Sequence, residues 1–287
     1  MAVDEDEQHE QDGPHEHKHW YNQEDDGLYR PNPARIYDAA LGGFANFAAD
    51  RAALEALVDV YPDSLLGARA NRAFLRRAVA FLAAQGIDRF LDVGSGLPTV
   101  GNVHEIAQRV NPAARVVYVD NDPVAVGYSR DILVKEPPPH VAVVEADLRE
   151  PATILAHRDV RRLLAGSRPA ALILAAVLHF LPDDDEALRS VRALTAALPP
   201  GSYLAIAQGT VEGASPEMVA QFTRLYEKTT HPLGFRSRAQ LARFFEGFAL
   251  VEPGIIFTPA WRPDNAYDPF VDEPERAAGI AGVGRKR

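Results

Sequence analysis

The chain has 287 residues, 47% of them hydrophobic and 24% charged, which is enough for one large domain with a sizeable core. It contains no cysteine, so disulfides, thiolate metal sites and cysteine nucleophiles are excluded. The formal net charge of −10 is concentrated in residues 1–26, where ten acids stand against Lys18 alone; the remainder is near balance and offers no basic field for nucleic acid.

Residues 1–28 are polar and poor in aliphatics, which predicts a disordered acidic tail. His15, His17 and His19 alternate there without further ligands nearby, so no metal site is expected. An acidic start is unlike a signal peptide, and the longest apolar run, Ala170 to Leu178, is too short to span a bilayer; a cytoplasmic protein with no membrane partner is the expectation.

From Tyr29 to Gln85 the pattern is helical. Asn32 and Pro33 supply an N-cap and a first-turn proline for a helix through Arg35, Ile36 and Tyr37 that breaks at Gly42-Gly43. A second helix runs from about Phe47 to Tyr61-Pro62. A third runs from about Ser64, with Phe74, Leu75, Ala78, Phe81 and Leu82 on its apolar side and Gly86 just past its end. Arg69, Arg72, Arg76 and Arg77 lie elsewhere on that helix and read as a solvated basic face. Residues 29–85 are thus expected to form a helical lid ahead of the core.

Ile87 to Glu105 reads as a buried strand (Phe90, Leu91, Val93), a turn at Gly94 and Gly96, and a helix starting near Val103. Asn102 and Glu105 have capping-box spacing, and Val103, Ile106, Ala107 and Val110 share one face. Strands and helices then alternate, with strand candidates at 88–94, 115–120, 141–146, 171–179 and 202–208. This predicts a Rossmann-like, doubly wound, mostly parallel α/β sheet. Asp122-Pro123 opens one crossover helix, and Asp183 or Asp184 opens another that buries Leu188, Val191, Leu194 and Leu198. Right-handed crossovers bring Gly94, Asp120, Asp147 and His179 to one sheet edge, the predicted site. Ser215-Pro216 begins a further helix, and Ser237 with Gln240 repeats the capping box before Leu241, Phe244 and Phe245. Glu252-Pro253-Gly254 between two apolar runs predicts a C-terminal antiparallel hairpin ending the core at 86–262. Residues 263–287, rich in proline and glycine, read as a surface-wrapping or loose tail.

A glycine loop feeding a helix suits a ligand rich in acceptors or negative charge. Asp120, ending the second strand, occupies the position where a carboxylate accepts both hydroxyls of an adenosine ribose. A dinucleotide and S-adenosylmethionine both satisfy this. The third glycine expected of a nicotinamide-binding loop is replaced by Thr99, and Asp92 would oppose phosphates, whereas it attracts the ammonium and sulfonium of S-adenosylmethionine.

On Asp92-Val-Gly94-Ser-Gly96, Asp120 and the C-terminal hairpin, residues 86–258 resemble class I S-adenosylmethionine-dependent methyltransferases. Pro31 to Arg51, Leu91 to Thr99 and Tyr118 to Pro123 are more narrowly similar to an actinobacterial S-adenosyl methyltransferase family. The resemblance implies that Asp92, Gly94, Ser95 and Gly96 surround the methionine part of the cofactor. It places Asp120 at the ribose, Asn121, Asp147 and Leu148 toward the adenine, and Ala176, Val177 and His179 beside the sulfonium and the acceptor. Relatives carry a third glycine where this chain has Pro98. Tyr37, Asn46, Phe47 and Arg72 are candidates for the lid, Arg72 as partner of the methionine carboxylate. His179 is read either as a hydrogen-bonded core residue or as the general base, its unperturbed pKa of about 6.5 lying near working pH. The implied function is methylation of a small-molecule acceptor on oxygen or nitrogen. A non-catalytic S-adenosylmethionine-binding regulator stands as the alternative; a nicotinamide-dependent oxidoreductase is disfavoured by Asp92 and by the lack of a separate catalytic domain.

Overall fold

The computed structural model describes residues 30–97, 101–133 and 140–287. The expected acidic tail with its alternating histidines, and Pro98 and Thr99 of the glycine loop, lie outside the described residues. Asn32 caps α1 (Pro33–Ala40) by accepting the Ala34 N–H at 2.8 Å. α2 (Ala48–Val60) follows, and α3 (Ser64–Ala84) stops before Gly86, whose φ of +84° lies in the left-handed region that suits glycine. α3 both lines a cavity, through Ser64, Gly67, Asn71 and Arg72, and packs on the sheet. Its residues Phe74, Leu75, Ala78, Val79 and Leu82 are buried against the sheet, because their helical spacing turns a continuous apolar stripe onto it. Its basic side is solvated only in part: Arg69 is exposed, but Arg77 is not. Arg77 is buried and donates to the carbonyls of Trp261 and Thr258, while Arg76 and Arg77 both reach Asp268.

Five parallel strands form most of the sheet: β1 (Arg89–Val93), β2 (Arg115–Asp120), β3 (Val141–Glu145), β4 (Ala171–Ala175) and β5 (Tyr203–Gly209). Between them lie α4 (Val103–Val110), α5 (Pro123–Leu133), α6 (Pro151–Ala156), α7 (Arg158–Leu163) and α8 (Asp184–Ala196). The strands run β3-β2-β1-β4-β5, so the chain winds one way from β1 and the opposite way after β4. A crevice opens where the winding reverses, at the carboxyl ends of β1 and β4. Alternate strand residues face two apolar layers. Leu91, Val93, Leu172, Leu174, Leu204 and Ile206 pack toward α6, α7 and α8, while Phe90, Val116, Ile173, Ala205 and Ala207 pack toward α3 and α4. The fourth strand is shorter than expected. Its backbone leaves the sheet at Ala176, where φ is +60°, and a 3-10 turn over residues 178–180 carries His179. The Asn102 box also differs: its side chain makes no cap to the helix backbone but donates through Nδ2 to Glu105 Oε1 at 2.8 Å.

After α9 (Pro216–Tyr226) and α10 (Arg238–Ala242) come β6 (Phe248–Leu250), β7 (Ile256–Phe257) and β8 (Gly279–Lys286). The antiparallel end of the sheet is present, but β6 and β7 do not pair as a hairpin. They lie in series along one edge of β8, whose other edge pairs with β5 from Tyr203↔Arg285 to Gly209↔Gly279. The segment 263–287 is therefore no loose tail. Ile280, Ala281 and Val283 are fully buried, and Gly282 and Gly284 leave the space that Phe245 and Phe248 fill. Glycine at alternate positions removed the side-chain alternation by which a strand is recognised in a sequence.

Candidate active site

One cavity of about 280 Å³ follows the carboxyl ends of the strands, beneath α1, α2 and α9. Its first half is acidic. Asp92 at the end of β1, Asp120 at the end of β2 and Asp147 just past β3 all line it. Asp92 is 4% exposed, and burial raises its pKa to about 7, opposed by the attraction of Arg72 and reinforced by Asp120. Asp120 Oδ2 accepts the Gly96 N–H at 2.7 Å and Oδ1 accepts the Asp122 N–H at 2.9 Å, so this acid ties the glycine loop to β2. Burial raises its pKa as well, against those hydrogen bonds. At Asp147 partial burial pulls upward, yet the hydrogen bonds of Arg149 and Asn121 bring the pKa down to about 2. Gly94 has no room for a side chain: a Cβ would lie 2.2 Å from Val177, and φ is +72°. Val177 thus crosses directly over the β1 turn.

Ser95, Gly96, Asn121, Leu148, Ala176 and Val177 also line the cavity, as expected. Of the four lid candidates, two do. Tyr37 donates to Ala68 O at 3.0 Å and accepts from Asn71 Nδ2 at 2.8 Å. Arg72 lies 5.8 Å from the Tyr37 ring centre, and its buried Nε has no hydrogen-bond partner. Asn46 and Phe47 are elsewhere. Asn46 donates to Asp38 and to Gly43 O, and Phe47 lies beneath the Arg35 guanidinium, so both shape the α1–α2 connection and not the cavity wall.

His179 lines the cavity, half-buried, but its geometry is not that of a base. Nδ1 accepts the Gly209 N–H at 3.1 Å, which leaves the ring proton on Nε2 as a donor. Desolvation, and then the Arg236 guanidinium, lower its pKa to about 3, far below a working general base. Of the two readings left open for His179, this geometry favours the hydrogen-bonded core residue: the ring holds the β5 end and offers an N–H.

For the second half of the cavity the sequence offers only a region, the lid and Gln208 to Gly234, and no motif. Phe180, Phe222, Tyr226 and Phe235 line it together with Gln208, which is 2% exposed. The signal lay in α9, where Met218, Phe222 and Tyr226 recur every fourth residue, an apolar stripe with no assigned packing surface. No group of three or more acids and histidines set to hold a metal occurs among the described residues, and no helix among them is long and apolar enough to cross a membrane.

The comparisons with known proteins agree with this geometry. A family model described as S-adenosyl methyltransferase matches residues 20–287. The crystal structure of a proposed methyltransferase from Thermobifida fusca is 45% identical with a TM-score of 0.83, covering 91% of this chain and 97% of that one. A DUF574 family protein from Streptomyces avermitilis is 43% identical with a TM-score of 0.85, covering 91% and 99%. No curated protein matches this chain.

Proposed function

This chain belongs to the S-adenosyl methyltransferase family, and from that premise we propose that it methylates an oxygen or nitrogen of a small-molecule acceptor. The observation that carries the reading is that the acidic half and the aromatic half are one roofed cavity, with the end of β4 between them. A roofed cavity of this volume suits a small ligand better than a macromolecular surface.

The residues present fit S-adenosylmethionine. The orphaned Arg72 Nε suits its carboxylate, the buried Asp92 its ammonium and sulfonium charge, and Asp120 its ribose hydroxyls. When bound, it supplies a methyl carbon already activated by the sulfonium. The protein's part is alignment and exclusion of water. Ala176 and Val177 separate the two halves, and α1, α2 and α9 roof them. Among the described residues the aromatic half holds no carboxylate and no lysine, and His179 keeps its Nε2 proton. The acceptor therefore attacks with its own lone pair, and its proton passes to bulk solvent as the product leaves the cavity.

The test is fractionation. An actinobacterial cell extract is separated by ultrafiltration, and each fraction is incubated with the protein and S-adenosylmethionine. Release of S-adenosylhomocysteine is expected with the low-mass fraction. Release with the macromolecular fraction alone would overturn the reading.

A further inference from the structure

The acceptor half of the cavity combines three features that together define a chemical class. First, Gln208 is a buried amide without a partner: both Oε1 and Nε2 lack any hydrogen bond, although the residue is 2% exposed and lines the cavity. A buried amide left unpaired is costly, and its preferred partner presents one donor and one acceptor side by side. Second, aromatic rings close a circuit around this end. His179 meets Phe180 with ring centres 4.3 Å apart, Phe180 meets Tyr226 at 5.8 Å, Tyr226 stacks on Phe222 at 6.3 Å, and Phe222 meets Phe235 at 6.1 Å. Phe235 returns to the start by packing on Gly209, where an added Cβ would lie 3.2 Å away, and the Gly209 N–H is the group that His179 accepts. Third, the charged groups lining the cavity, Asp92, Asp120, Asp147, Arg72 and Arg149, all belong to its other half.

We propose that the acceptor is a flat, uncharged aromatic molecule carrying an amide- or lactam-like edge, which Gln208 reads with a paired donor and acceptor while the aromatic circuit holds its ring. This rests on the methyltransferase reading and narrows it. Flat rings gain from offset and edge contacts with the aromatic wall. A charged acceptor finds no counter-ion there and loses its hydration on entry. An aliphatic ring of equal polarity forfeits the aromatic contacts, and an acceptor without the amide-like edge leaves Gln208 unpaired, the situation in which sites built for hydrogen bonding discriminate most strongly.

The test uses the whole chain saturated with S-adenosylhomocysteine and three probes: salicylamide, salicylate and cyclohexanecarboxamide, titrated by calorimetry. Salicylamide is expected to bind at least tenfold more tightly than the other two. Gln208→Leu is expected to lose about tenfold or more in salicylamide affinity while binding S-adenosylhomocysteine as the wild type does. Phe222→Leu, on α9 and away from the sheet, gives an independent reading with a several-fold loss. Salicylamide binding no tighter than the other probes, or undiminished in both variants, would overturn the inference. Failure of the wild type to bind S-adenosylhomocysteine would instead overturn the underlying methyltransferase reading, and it would show in the first titration, before any probe is added.

Discussion

Burial raises the Asp92 pKa from 3.8 to about 7, so between those values the folded chain holds a proton that the unfolded chain has released. Stability consequently falls as pH rises through that window and levels off above about pH 7. A difference of roughly three units corresponds to a loss of up to about 4 kcal/mol. Asp92→Asn removes the titration. It is expected to be more stable than the wild type at pH 8 by a few kcal/mol, with the gap closing toward pH 4, as read by urea denaturation across pH. Cofactor binding has the opposite demand, because only the ionised acid attracts the ammonium. Wild-type affinity for S-adenosylhomocysteine is expected to rise from pH 6 to pH 8, whereas that of Asp92→Asn stays low and flat. Asp92, Gly94 and Asp120 were legible in the sequence because their roles are local: a strand end, a turn and the next strand end. Gln208, Phe180, Phe222 and Phe235 were not, since each is ordinary in its own segment and only tertiary packing gathers them. His179 was placed at the correct edge, but its role turned on a hydrogen bond from Gly209, thirty residues away.

At the scale of elements, the roof hangs on one acid. Asp50, fully buried on α2, accepts the Asn32 N–H at 2.9 Å and the Phe47 N–H at 2.8 Å, and meets Arg35 Nε at 3.1 Å. It fixes the start of α1, the start of α2 and the buried guanidinium between them. Asn32 in turn reaches Thr230 beyond α9, and Thr230 N–H donates to Pro31 O, so the same junction joins the two sides of the roof. Asp50→Ala takes one partner from a buried ion pair and is expected to cost about 3–5 kcal/mol in urea denaturation, with weakened S-adenosylhomocysteine binding. An unchanged midpoint and affinity would show that the roof is held by other means. The helices were largely readable from their caps: Asn32, Asp183, Ser215 and Ser237 all accept a backbone N–H as the sequence predicts. Asn102 also marks the start of α4 at Val103 as expected, but its amide donates to Glu105 instead of accepting a backbone N–H.

The whole molecule is closed by a strand that looks least like one. β8 fills the place between β5 and the β6–β7 edge, and its glycines are the reason both that it fits and that it was read as a tail. At Gly284 a Cβ would lie 2.8 Å from Phe245 and 2.9 Å from Phe248. Gly284→Val is expected to destabilise by about 1–3 kcal/mol or more through overpacking, read as a lower denaturation midpoint, and Gly284→Ala by less. A midpoint equal to the wild type in both would mean that this layer yields freely. The parallel half of the sheet was legible because each of its strands is aliphatic and bounded by turn residues.

The position of β8 also governs how fast the fold can assemble. The pairs β1–β2, β2–β3 and β4–β5 join strands near in sequence, but β1 meets β4, as at Phe90↔Ala171, and β5 meets β8, from Tyr203↔Arg285 to Gly209↔Gly279, only across several intervening elements. Contacts of such long range are slow to form, since the intervening loop must be ordered before any pairing rewards it. Until then β5 is an unpaired edge flanked by aliphatic residues, and chains refolding together in concentrated solution present one another with the same open edge.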